Sequence, residues 1–554
     1  MVMKRKQMMK VWKNMKIRKI TALTTAAALV LLTGCSQTAT NLTSAADVNE
    51  EQVLEEAAQQ TEEGKENTDS GQAETYDNSE NGGHAIEADG ETAEYSHASV
   101  TKTGDSEGDE ADFYGENSAI FATNGANLTL SDMDITTDGT HANAVFSYGE
   151  NTVVTISDSS INTTGNCSGG LMTTGGGTMN AANLTIHTTG NSSAAIRSDR
   201  GGGVVTVNGG EYTTEGKGSP AIYSTADITV NDAELTSTTS EGVVVEGKNS
   251  VTLNNVTLTA DHNQHNSDKS DNYHAVMIYQ SMSGDADAGL AKFTANGGSI
   301  TNANGDIFFV NNTATDISLS DVEITNNGDG VFLRAAAAGW GNEGSNGGKV
   351  NLTASAQTIN GDMIVDENSI LNLYLNDGST FTGAINTDGA AGEVYVELSG
   401  DSRWILTADS NVKSLTCDAD AVELNGHTLT VDGKAYTEGE AMTGEAIEIK
   451  VETGGGNGGM QAPPDGKQPP QNGDGKQPPS GDRKPPSNDG TQSSQEGENS
   501  TSQEGRQQPP ENGGKMNLPD GQPPQKPDGN PPQKPEDDSA KTADTKNAGE
   551  EQSL

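Results

Sequence analysis

One phrase recurs through the middle of the chain, and its spacing restricts the fold more than any other feature. The stretch "NLTLSDMDITTDG" (127–139) holds four large apolar residues, Leu128, Leu130, Met133 and Ile135, too few to enclose a core of their own. The same line returns in three parts. The first part is a short apolar run: "SAIFA" from Ser118, "NAVFS" from Asn143, "GGLMT" from Gly169, "AAIRS" from Ala194 and "PAIYS" from Pro220. Later versions are "GVVVEG" from Gly242, "AVMIY" from Ala275, "IFFV" from Ile307, "GVFLR" from Gly330 and "MIV" from Met363. The second part alternates apolar with polar, as in "NLTL" from Asn127, "VVTI" from Val153 and "VVTV" from Val204. The third is shorter, as in "DIT" from Asp134 and "ELT" from Glu234.

The centres of the first part, Ile120, Val145, Leu171, Ile196 and Ile222, fall roughly 25 residues apart. Turn signals such as "TTDG", "TTGN" and "TTEG" separate the copies. Three short strands of period 2 in each repeat predict an all-β protein, a single-stranded right-handed parallel β-helix of about ten coils with three short strands per coil. One coil cannot shelter its own apolar side chains. Coils stacked at about 4.8 Å shelter each other's, and about ten of them make a rod of roughly 50 Å. An antiparallel architecture would need tight Asn-Gly or Asp-Gly hairpins, and only "VELNGHTLTVDG" (422–433) offers one. That piece, with Trp404 and the rest of 393–450, is expected to cover the C-terminal end of the rod. The stretch "GDSEGDEADFYGEN" (104–117) is expected to cover the N-terminal end, since open strand edges need protection.

Composition agrees with a repetitive design. Among 554 residues there are 67 Gly, aromatic residues make up 4 %, and the net charge is -48, which does not suit an ordinary globular core. Such acidity excludes nucleic acid as a partner, because phosphate binding needs clustered Lys and Arg. The first 34 residues carry eight of the 32 basic residues and no acid, so without them the net charge becomes -48 - 8 = -56. Their order is a basic stretch from Lys4 to Lys19, the apolar run "ITALTTAAALVLL", then "TGC", which is the order of a secretory signal. "LTGC" (Leu32–Cys35) resembles the lipobox of bacterial lipoproteins. The resemblance implies that Cys35 becomes the first mature residue and carries a diacylglycerol, an anchor of more than one acyl chain and therefore a stable one. The expected organisation is a signal peptide (1–34), an acidic disordered spacer (35–92), the β-helix with its caps (93–450) and a Pro/Gly/Gln-rich disordered tail (451–554). The protein is then exported and held on the membrane by its lipid, with peptidoglycan threading as one use for the tail. Cys167 and Cys417 are expected as two buried free thiols, the alternative in an exported protein being a disulfide between them.

The segments "SEGVVVEGKNSVTLNNVTLTA" (240–260) and "PAIYSTADITVNDAELT" (220–236) resemble bacterial surface β-helix proteins that bind carbohydrate and hold calcium in their turns. "LNLYLNDGSTFTGAINTDG" and "VELSGDSRWILTADSNVKSL" look like the passengers of autotransporter adhesins. The resemblance spans roughly residues 95 to 435 and lies at the level of the repeat. It implies a β-helix that binds a glycan or another surface, and it transfers no ligand residue.

Three places could carry chemistry. If Ile120, Val145, Leu171, Ile196 and Ile222 point inward, then Phe121, Phe146, Met172, Arg197 and Tyr223 point outward. Such a column is either a binding strip or a stripe packed by a loop or by the N-terminal segment. Insertions after the first part follow Tyr279 and begin at Arg334, and they should emerge on one side, so that Tyr279, Arg334 and Trp340 make a stacking platform with a cation for acidic sugar. A third insertion, "DHNQHNSDKSDNYH" (261–274), holds His262, His265 and His274 beside Asp261, Asp268 and Asp271, a set able to ligate a transition metal, though in no strong zinc pattern. Calcium is the cofactor that acidic turns such as "GDSEGDEAD" and "NNGDG" would suit. The function expected is a non-catalytic carbohydrate-binding or adhesin-like module. The alternatives are a polysaccharide lyase or hydrolase acting on acidic glycan, and a purely structural rod. A lyase needs cations around the uronate, and Arg197, Arg200, Arg334 and Arg403 are the only arginines of the repeat region, so no catalytic residue is assigned.

Overall fold

A computed structural model describes residues 73–453, apart from Met282, Asp388, Ala390 and Ala391. Cys35, the expected signal peptide, most of the expected spacer and nearly all of the expected tail lie outside the described residues.

The chain winds as a parallel β-helix. Among the described residues every pairing between strands is parallel, save that of Leu429–Val431 with Lys434–Ala435. The apolar runs of the first part stack as an eleven-stranded sheet. Within it Ile86, Ile120, Val145, Leu171, Ile196, Ile222, Val243, Val276 and Phe308 follow one another in register. All of them are buried, as the inward assignment of Ile120 to Ile222 required. The second parts stack likewise, Leu128 on Val154 on Met179 on Val205 on Ile228 on Val251 on Phe293. So do the third parts, Ile135 on Ile161 on Ile186 on Tyr212 on Leu235 on Leu258. The four apolar residues of "NLTLSDMDITTDG" are all at most 2 % exposed, which no single coil would achieve for itself.

Second and third parts belong to one nineteen-stranded sheet, and the bend between them is a single residue with left-handed φ in most coils and a glycine pair, Gly209–Gly210 or Gly297–Gly298, in two. Asp132, Asp158, Asn183, Asp232, Asn255 and Asp321 occupy it with φ between 50° and 54°. Asn and Asp tolerate this region, and their side chains bond along the column, Asn183 Nδ2 donating to Asp158 Oδ1 at 3.0 Å.

The turn that closes each of the N-terminal coils is equally repetitive. Gly139, Gly165, Gly190 and Gly216 stack so closely that a Cβ on Gly165 would stand 1.9 Å from the carbonyl oxygen of Gly139. Beside them runs a serine ladder. Ser193 Oγ donates to Gly165 O at 3.0 Å and accepts the N–H of Ser168 at 2.9 Å, and Ser219 Oγ treats Gly190 and Ser193 alike.

Both ends differ from expectation. Described β-structure begins with Glu74–Asn78 and Ile86–Asp89, inside the stretch assigned to the spacer (35–92), because Tyr76 and Ile86 pack on the core. The stretch 104–117 does not cover the N-terminal end. Its short helix Asp109–Tyr114 and the following Gly115 lie on the flank of the rod, against Phe121 and Phe146. At the other end "NGHT" is no hairpin. Val422–Glu423 continues in parallel beside Trp404 and Ile405, and Leu429–Val431 in parallel beside Ser410–Val412. The hairpin comes one turn later, at Asp432–Gly433. Trp404 is interior, stacked on Phe381 at 5.7 Å, with its indole N–H donating to Gly383 O at 3.0 Å. Cys417 is buried, whereas Cys167 is only half-buried, and both are free thiols. Among the described residues no helix is long and apolar enough to cross a membrane.

Candidate functional site

The outward column of the eleven-stranded sheet divides in two. At its N-terminal end Phe121, Phe146 and Met172 are at most 1 % exposed. The helix segment and Gly115 cover them, His84 stacks on Phe121 at 4.5 Å, and Thr174 Oγ1 holds the helix by donating to Phe113 O at 2.7 Å. Arg200 closes the arrangement, its guanidinium 3.6 Å above the Phe113 ring and bonded to Asp285 at 2.8 Å. This part of the column is packing and not a binding strip.

Further along, the column continues as Tyr223, Val244, Met277 and Phe309. Two loops border it, and they meet: the N–H of Gly339 donates to Lys269 O at 2.7 Å, joining the insertion that carries Trp340 to the one that carries the histidines. Between them opens a cleft of about 260 Å³. Tyr223, Tyr279 and Trp340 line it, with Glu241, His262, His265, Lys269 and His274. Trp340 meets Tyr279 edge to face at 5.3 Å, and the Lys269 ammonium stands 5.6 Å from the Trp340 ring. Tyr223 and Tyr279 are fixed from below, because both hydroxyls donate to Glu246 Oε2, that of Tyr279 at 3.0 Å. Burial raises the pKa of both phenols well above the ordinary value, and the Glu246 charge adds to it, so they remain neutral donors. Burial also raises the Glu246 carboxyl, against the hydrogen bonds it accepts.

The sequence-predicted residues therefore separate. Tyr279 and Trp340 of the expected platform meet, and Tyr223 of the outward column joins them. Arg197 and Arg334 do not line the cleft, because buried carboxylates occupy them. Arg197 bonds Asp199 at 2.9 Å, and Arg334 grips Asp306 with two bonds, 2.7 and 3.0 Å. Burial raises Asp199 and Asp306 to about 6 even so, against the pull of their arginines. The cation beside the platform is Lys269, which nothing in the repeat pattern marked. Its approach depends on the fold-back of a loop, and loop fold-back leaves no periodic signal.

Of the proposed metal ligands, His262 and His274 meet edge to face at 4.9 Å with Glu241 beside both, a residue outside the histidine insertion. His274 Nε2 lies 3.4 Å and His262 Nδ1 3.9 Å from Glu241 Oε1. Burial lowers His262 to about 4, while the two imidazoles outweigh the burial of Glu241 and hold its carboxyl well below the ordinary range. His265 stands one place outward, stacked on Tyr273 at 4.2 Å. Asp261 bonds Asn304 instead, and Asp268 is exposed on the loop, so neither joins the cluster. A second group of potential ligands, Asp112, His141 and Cys167, sits under the N-terminal helix, with His141 Nδ1 2.8 Å from Asp112. In the turn "NNGDG", Asn326 Oδ1 and Asp329 Oδ1 accept backbone N–H groups of the turn itself.

No family model matches the chain, and comparisons with curated proteins and with solved structures find no match.

Proposed function

We propose that the protein is a lipid-anchored surface protein whose β-helix binds carbohydrate without chemical turnover, through the cleft between the Trp340 and histidine loops. The observation that carries this reading is the meeting of Trp340, Tyr279 and Tyr223 in one cleft on a rigid scaffold. Aromatic faces match the C–H faces of sugars, while neutral tyrosine hydroxyls, Lys269 and the acidic wall supply polar partners for hydroxyl groups. Lys269 suits the carboxylate of an acidic sugar. A lyase would need several cations around the uronate; Arg197, Arg200, Arg334 and Arg403 all bond to carboxylates of the chain, and Lys269 is the one Lys or Arg among the cleft residues. That favours binding over cleavage. The membrane tether rests on the lipobox at Leu32–Cys35.

Titration of the full chain with neutral and uronic oligosaccharides, followed by Trp fluorescence and calorimetry, tests the proposal. Saturable binding is expected, with Trp340→Ala weakening it about tenfold or more, the loss of one stacked ring. Binding that Trp340→Ala leaves unchanged removes the cleft from the account. The appearance of unsaturated uronate products would replace binding with lyase activity.

A further inference from the structure

The cluster on the cleft wall has features that an internal ion pair does not explain. Glu241, His262 and His274 each present one ligand atom, and these atoms lie within 4.8 Å of one another. A charge-assisted hydrogen bond between imidazolium and carboxylate would close to about 2.8 Å. Here the separations are 3.4 and 3.9 Å. Two ligands bound tetrahedrally to one zinc ion at about 2.0–2.1 Å stand roughly 3.3 Å apart, which is closer to what is seen. His274 supplies a second, independent observation: its side chain is 2 % exposed and neither ring nitrogen has a hydrogen-bond partner. Buried imidazole nitrogens are seldom left so.

The three side chains are also held in place. The His274 ring stacks on Phe309 at 5.0 Å, and His262 stands edge-on to Tyr273 at 5.0 Å. Ser240 Oγ donates to the other oxygen of Glu241. His262 Nδ1 accepts the backbone N–H of His274 at 3.3 Å, so this nitrogen is unprotonated and its lone pair is held only by that long bond.

We propose that Glu241, His262 and His274 form a binding site for a divalent transition-metal ion of the zinc class on the wall of the cleft. Two imidazoles and one carboxylate select zinc and its late first-row neighbours over calcium or magnesium, which prefer all-oxygen shells. Three protein ligands leave a fourth position for water or an anionic ligand. Binding replaces the long His274 N–H bond at His262 Nδ1 with a metal bond and gives the unpartnered His274 ring its partner.

The test uses the untagged full chain, stripped with chelator, in excess Ca2+ and Mg2+ so that the acidic surface is saturated. Co2+ is titrated in and followed by its ligand-field absorption, and Zn2+ is then added as competitor. No glycan is present, so the outcome is independent of the carbohydrate reading. One tetrahedral Co2+ per chain, displaced by Zn2+, is expected. Glu241→Gln and His262→Gln, each shown by circular dichroism to fold without metal, should weaken binding on the order of 100-fold, since loss of even an outer-sphere partner costs 10–100-fold. His141→Gln, in the separate Asp112–Cys167 group, should leave it unchanged. Absence of a tetrahedral Co2+ spectrum in the wild-type chain overturns the proposal. So does a spectrum that survives both Glu241→Gln and His262→Gln, or one that only His141→Gln abolishes.

Discussion

Single residues here owe their behaviour to neighbours far away in sequence. His84 lies between Phe121 and Ser118, its Nδ1–H donating to Ser118 O at 2.8 Å, and burial lowers its pKa to about 4, with nearby Lys102 adding to the effect. In the unfolded chain the imidazole titrates near 6.5. Between those values the unfolded chain binds more protons, so the contribution of neutral His84 is complete above about pH 6.5 and disappears as pH falls toward 4. His84→Gln should flatten the pH profile of stability across that window, as measured by denaturant unfolding at several pH values. An equally steep profile would mean that His84 is charged in the folded protein. Arg334 teaches the same lesson at the candidate site. Arg197 and Arg334 are both outward cations by strand parity, but Arg197 meets Asp199 two residues along its own chain, whereas Arg334 meets Asp306 one coil back, where only the coil-to-coil register can put it. A one-dimensional reading counts Arg334 and cannot see that Asp306 meets it.

Repeated elements concentrate their stability in ladders, and ladders make sharp predictions. Each buried Ile or Leu rung contributes about 1.5–3 kcal/mol by leaving water. The turn ladder is less tolerant. A Cβ at Gly165 meets backbone, which has no rotamer to give way, so Gly165→Ala should cost about 3 kcal/mol, the upper end of overpacking. Ser193→Ala should cost about 1–3 kcal/mol, because it strands the Ser168 N–H and a lone pair on Gly165 O in a buried place. Equilibrium unfolding in urea reads both, and a change below about 0.5 kcal/mol in either would show the ladder to be slack. The "TTGN" and "TTEG" phrases mark the glycines as turns. Their sequence does not reveal that the glycines stack on one another, which is why no other residue fits. The Asp/Asn bends are hidden in the sequence for a related reason. A polar residue between two alternating runs reads as a strand break, whereas its left-handed φ keeps both runs in a single sheet.

For the whole molecule, the proposed tether and the rod are separate devices. Cys35→Ser should move the protein from the detergent phase to the aqueous phase in phase partition, and mass spectrometry should lose the lipid mass on the N-terminal peptide. The rod should keep its circular dichroism. Partition that Cys35→Ser leaves unaltered would place the anchor elsewhere. The cleft is likewise a property of the assembled rod. Its walls come from Tyr223, from the loop 261–274 and from the loop around Trp340, which lie on different coils and are brought together only by the stacking of the coils.

The sequence alone determined the parallel β-helix, its inward columns and the flank on which the insertions emerge, because period and parity are local and each coil repeats them. Only the tertiary structure decided that the N-terminal helix covers Phe121 and Phe146, that two loops close on one cleft, and that Glu241 completes the histidine cluster. Those outcomes depend on how irregular segments lie across a regular surface, and such segments carry no period from which their resting place can be read.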